Sequence, residues 1–166
     1  MPMWSLVEHQ LANARLLATH DRRRPRPASL RRAVSTAYYA VFQALCATCA
    51  DTLVGWSKSW EAFTPVFRAL EHSRAAHTLR QPPLATTSEL QRFGLAFKEL
   101  QEAREWADYN PEPRPNFDAE ANSSPFTREE ALTLIELAGE AIEILDRLDE
   151  EARLRLATRL VPRTRQ

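Results

Sequence analysis

Apolar positions recur at spacings of three and four along most of the chain, the signature of helices with one buried face. Trp4, Val7, Leu11, Ala14 and Ala18 make the first stripe, opened by a capping-box spacing at Ser5 and Glu8 and ending near His20. A second helix is expected from about Ser29 to about Ala50. From Ala33 onward it is apolar nearly all round, which predicts burial at the centre of a bundle. Thr64-Pro65 reads as a cap with proline at the first helical position, opening a third helix through Phe67, Leu70, Arg74 and His77. Gln81-Pro82-Pro83 ends it. Ser88 and Gln91 open a fourth with a second capping-box spacing; its stripe is Leu90, Phe93, Phe97 and Leu100, and Asn110-Pro111 stops it. Residues Asn110 to Pro125 show no periodicity and read as a loop. Thr127 and Glu130 form a third capping box. Beyond it Ala131, Ile135, Ala138, Ile142, Leu145, Ala152 and Leu156 line one face of a last helix. Run unbroken to Leu160, that helix is roughly 50 Å long and projects beyond the others.

The expectation is an all-α, antiparallel bundle of four to five helices with a long C-terminal helix. Residues 1–150 form the bundle, and 151–166 a basic helical extension and tail. The length of 166 residues suits one domain, and three glycines leave little else but helices and proline-bearing loops.

Net charge is zero but unevenly distributed. Lys98 to Glu151 holds five basic and sixteen acidic residues, whereas Arg15 to Arg32 holds seven arginines and one aspartate. The densest basic run is Arg22, Arg23, Arg24 and Arg26, broken by two prolines. It reads either as a solvated linker or as a contact for phosphate or an acidic partner. Arg31 and Arg32 fall in the first turn of the second helix, where the helix dipole disfavours cations, so they read as contact residues. No apolar run is expected to span a bilayer. The start of the chain lacks the pattern of a signal peptide, and the expectation is a cytoplasmic protein.

Chemistry-bearing motifs are few. Cys46 and Cys49 lie inside an apolar helix and read as core. No metal-ligand spacing, phosphate loop or nucleophile elbow occurs, and no metal or cofactor is expected. His72 and His77 are poorly spaced to share a helix face. The unusual position is Arg104, on the core stripe of the fourth helix, with Asp108 one turn on and Tyr109 next to it. A guanidinium there must pair, face a wet cleft or snorkel into water at the helix end.

The run Arg31-Arg32-Ala33-Val34-Ser35-Thr36-Ala37-Tyr38-Tyr39-Ala40-Val41-Phe42 resembles the second helix of HEPN domains (higher eukaryotes and prokaryotes nucleotide-binding). Leu100 to Arg104 followed by Ala107-Asp108-Tyr109-Asn110-Pro111 resembles the Arg…Ala-Asp-Tyr segment of one bacterial branch, which Phe67 to His72 also fits. The resemblance spans about Ser5 to Leu148. It implies a homodimeric helical bundle that binds RNA, a nucleotide or a partner protein. The setting it implies is a toxin–antitoxin pair with a nucleotidyltransferase-type partner, or phage defence. Arg104, Asp108 and Tyr109, with Arg32, Ser35 and Tyr39, are then the site. Many members are metal-independent ribonucleases in which a histidine follows the arginine; here Asp108 and Tyr109 stand at that place, so robust cleavage is not expected. An active nuclease using Arg104 and a purely structural interaction module are the alternatives.

Overall fold

The computed structural model describes residues 2–110 and 126–162, and every regular element in them is helical. The order is α1 (Pro2–Thr19), α2 (Pro27–Leu53), α3 (Trp60–Phe67), α4 (His72–Leu79), a 3-10 turn (Leu84–Thr86), α5 (Ser88–Tyr109), α6 (Arg128–Arg147) and α7 (Glu150–Leu160). The loop expected after Asn110 lies almost wholly outside the described residues.

α2 is the central element, as its apolar circumference predicts. It packs against α1, α3, α5, α6 and α7. Fifteen of its residues are buried, six of them alanines, and these small side chains let neighbouring helices approach closely. Contrary to the expectation that no run is long enough, α2 is long and apolar enough by composition to cross a membrane. The other helices bury 78% of its most apolar window. Gly55, just past its end, takes φ 91°, a left-handed conformation that only glycine adopts without penalty.

Seven α-helices in the described residues exceed the four to five expected, and two splits account for the difference. The third helix starts earlier, at a Ser59 cap that accepts from Ala62 N, so Thr64-Pro65 lies inside it rather than at its start. Pro65 supplies no N–H, and α3 ends two residues later. The chain then turns through Arg68–Glu71 and starts again at His72. The last helix breaks at Leu148, whose ψ of 135° is extended, and Asp149 caps α7 by accepting from Ala152 N at 2.8 Å. α7 therefore folds back onto α2 and α4, with Leu156, Ala157 and Leu160 buried, and does not project. The capping box at Thr127 and Glu130 is present. For α5 the cap is Thr87, one residue before the expected Ser88. α1 begins at Pro2, ahead of the expected Ser5.

Three arginines at helix starts are used by the ends of other helices. Arg31, in the first turns of α2, donates to Ala107 O (3.1 Å) and Asn110 O (2.7 Å) at the C-terminus of α5, which has no basic residue in its own last turn. Arg128, the first residue of α6, donates to Ala18 O (3.2 Å), Arg22 O (3.2 Å) and Asp21 O where α1 ends. Arg153 of α7 donates to Leu148 O (2.9 Å) and Asp146 O (2.6 Å) where α6 ends. Each places a cation on one carbonyl of a helix's last turn and on one or two carbonyls just beyond it.

Candidate functional site

The inward stripe of α5 ends at Arg104, where it meets α2. The Arg104 side chain is 12% exposed. Its Nη2 donates to the Tyr39 hydroxyl at 2.8 Å, and its Nε lies 3.3 Å from Asp108 Oδ2. The Nε–H is buried and has no aligned acceptor, so the Asp108 contact is a charge pairing rather than a directed hydrogen bond. The same Asp108 oxygen accepts from Ser35 Oγ at 3.1 Å. Three tyrosine rings surround the guanidinium carbon: Tyr39 at 5.3 Å, Tyr109 at 5.4 Å and Tyr38 at 5.6 Å, within range of cation–π attraction. Burial works against the cation. The Tyr39 hydrogen bond and the electrostatic influence of Tyr39, Tyr109 and Asp108 outweigh it and raise the Arg104 pKa further.

The structure thus brings together five residues singled out in the sequence: Ser35 and Tyr39 from α2, and Arg104, Asp108 and Tyr109 from α5. Tyr109 is 73% exposed, so one face of the cluster is open. Arg32 is exposed on α2 and, at helical spacing, shares the stripe of Tyr39. Arg22, Arg23, Arg24 and Arg26 are exposed in the α1–α2 connection, with Arg26 paired to Asp21 at 3.5 Å. None of them makes a hydrogen bond or ion pair with the Arg104 cluster among the described residues.

One residue of this site was not singled out in the sequence. His72, the first residue of α4, sits against the same aromatic surface. Its Nδ1 is 2.6 Å from the Tyr38 hydroxyl, its ring stacks on Phe42 at 3.8 Å, and Tyr39 meets it edge-on at 5.9 Å. Burial, and then the Arg104 charge, lower its pKa below the ordinary 6.5, so the ring is neutral at pH 7. The available signal was the segment Phe67 to His72, which ends on this histidine.

Other candidates resolve as core. Cys46 and Cys49 are buried free thiols; burial pushes Cys46 up to about 12, and both stay protonated. No group of three or more His, Cys, Asp or Glu able to hold a metal occurs among the described residues. Trp56, Trp60 and Phe63 do form an aromatic cluster, with Trp56 stacked on Phe63 at 4.5 Å and Trp60 61% exposed. Comparison of the chain with family models, characterised proteins and solved structures gives no match.

Proposed function

We propose that this chain is a HEPN-like helical bundle that acts by binding, with a phosphate of RNA or of a nucleotide at the Arg104 cluster, and that it works as a homodimer. The observation that carries this reading is the convergence of Arg104, Asp108 and Tyr109 with Ser35 and Tyr39, residues 65 to 73 positions apart where they bond, at a partly open seam. A guanidinium held in place by a hydroxyl and aromatic faces is preorganised for a phosphate, because its rotamer entropy is already spent. Tyr109 offers an exposed ring on which a base can stack. Arg32 and the Arg22–Arg26 loop supply cations at a distance from that centre. A toxin–antitoxin pair with a nucleotidyltransferase-type partner, or phage defence, is the setting this reading favours.

Fluorescence anisotropy with a labelled single-stranded RNA tests it. Arg104→Ala should abolish binding while the helical circular dichroism spectrum is retained. Replacing Arg22, Arg23, Arg24 and Arg26 by Ser should flatten the dependence of affinity on salt. Wild-type protein that binds neither RNA nor nucleotides at low salt would leave the Arg104 cluster as a structural clamp between α2 and α5.

His72 favours a second reading, a metal-independent ribonuclease. His72 would take the proton of a ribose 2′-hydroxyl, the oxygen would attack the adjacent phosphorus to form a cyclic phosphate, and the 5′-oxygen would leave, taking its proton from the imidazolium or from water, while Arg104 holds the charge. Cleavage in the presence of a chelator, lost in His72→Ala and Arg104→Ala alike, would place this reading first.

A further inference from the structure

Tyr38 is among the largest fully buried side chains in the molecule, and it carries a hydroxyl. A buried O–H left without an acceptor is costly, so the proton must be donated. The acceptor within reach is His72 Nδ1, at 2.6 Å. If Nδ1 accepts, a neutral imidazole carries its own proton on Nε2. The ring has little freedom to exchange its nitrogens, since Phe42 stacks on it and Tyr39 closes one edge. Burial holds the Tyr38 pKa well above that of an ordinary tyrosine, so the donor keeps its proton. Arg104 lies on the same pair of rings: its guanidinium carbon is 5.6 and 5.3 Å from the Tyr38 and Tyr39 centroids, and the His72 ring is 5.6 and 5.9 Å from them.

Building on the phosphate-binding reading above, we propose that Tyr38 is a positioning residue that fixes His72 as its Nε2–H tautomer. His72 and Arg104 then present two donors, one neutral and one cationic, to a single phosphodiester group. The arrangement has a chemical consequence. A neutral imidazole protonated on Nε2 has its lone pair on Nδ1, already occupied by Tyr38, so Nε2 donates and does not abstract. Tyr38 therefore holds His72 in a binding role and away from general-base work, which counts against the ribonuclease reading with His72 as its base.

Two measurements test this. Long-range proton–nitrogen correlation spectra of ¹⁵N-labelled protein at pH 7.5 report the tautomer with no ligand present. Wild type should show His72 with a protonated Nε2 and a bare Nδ1, and Tyr38→Phe should show a mixture of tautomers. A wild-type His72 protonated on Nδ1, or averaged between the two, would overturn the role of Tyr38. The second measurement is anisotropy with a short fluorescein-labelled single-stranded RNA. His72→Ala should weaken binding about tenfold, the loss of one good hydrogen bond to a charged group. His72→Gln, whose amide donates from about the place of Nε2, should restore most of it. If Gln and Ala weaken binding alike, or neither changes it, His72 is not a donor to the ligand. Wild type that shows the expected tautomer but binds no RNA would refute the phosphate ligand and the functional reading beneath it, leaving the Tyr38–His72 pairing standing.

Discussion

Removing the Arg104 charge should destabilise the fold by an amount the geometry bounds. In Arg104→Met the stem is retained and three interactions go. The Tyr39 hydrogen bond contributes about 1 kcal/mol net. The aromatic faces contribute about 0.5–1 kcal/mol together, since the site is partly wet. The third is the pairing with Asp108. A fully buried pair broken on one side costs about 3–5 kcal/mol. Here the side chains are 12% and 23% exposed and the Nε contact is off-axis, so the pairing is discounted to about 1 kcal/mol, the scale of a surface pair. The sum is roughly 2–3 kcal/mol, or about 5–10 °C in Tm for a chain of this length. Asp108→Ala alone should cost less, about 1 kcal/mol, because Arg104 keeps its Tyr39 hydrogen bond and its aromatic contacts. The double variant should be less destabilised than the sum by about 1 kcal/mol, the coupling of the pair. Urea unfolding followed by circular dichroism measures all four corners of this cycle. Strict additivity, or a loss below about 0.5 kcal/mol in Arg104→Met, would show that the α2–α5 seam does not depend on this ion pair.

Other outcomes follow from single positions. A Cβ on Gly94 would meet the backbone carbonyl oxygen of Leu79 at 3.0 Å, so Gly94→Ala should lower Tm despite better helix propensity. A Cβ on Gly139 meets nothing within 4 Å, and Gly139→Ala should stabilise by about 0.5–1 kcal/mol in the same thermal melts. His72 has a folded pKa below its ordinary 6.5, so the unfolded chain binds the proton more readily. Stability from this group is complete above about pH 6.5 and is lost as pH falls through that value toward the folded one. Wild type should therefore lose more Tm than His72→Gln between pH 7.5 and 5.5. Arg31→Ala should cost about 1.5–2 kcal/mol by exposing two carbonyls at the end of α5, read as a shifted urea midpoint with the cooperativity of the transition unchanged.

The parts of the fold that depend on local periodicity were legible in the sequence, and those that depend on a chain reversal were not. α2 declares its central place through an apolar circumference, and α5 declares Arg104 through an interrupted stripe. The break at Leu148 escaped notice because Ala152 and Leu156 continue the stripe of α6 closely enough to mask the Asp149 cap. The division between α3 and α4 was hidden for a similar reason: Phe67, Leu70, Arg74 and His77 keep helical spacing across a turn that is not helical. At the site, the resemblance puts a histidine just after Arg104 on its own helix, where Asp108 and Tyr109 stand. The histidine that does approach comes from the start of α4, 32 residues earlier, and only the packing of Phe42 and Tyr38 brings it there. Arg31 was legible as misplaced for the dipole of its own helix; that it serves another helix's carbonyls is a tertiary fact.

The arginines that seize helix ends also bear on a bias in composition. The chain uses twenty arginines and two lysines. A guanidinium can donate in a fixed plane to two carbonyls at once, as Arg31, Arg128 and Arg153 do; an ammonium donates from a single nitrogen and is more strongly hydrated. Helix ends ordinarily fray first. Here three of them are laced to a residue of another helix, so a terminus cannot loosen without tugging on a second element. Hydrogen exchange at the ends of α1, α5 and α6 would then track the opening of the helices that hold them, making these termini reporters of bundle-wide motion rather than of local melting.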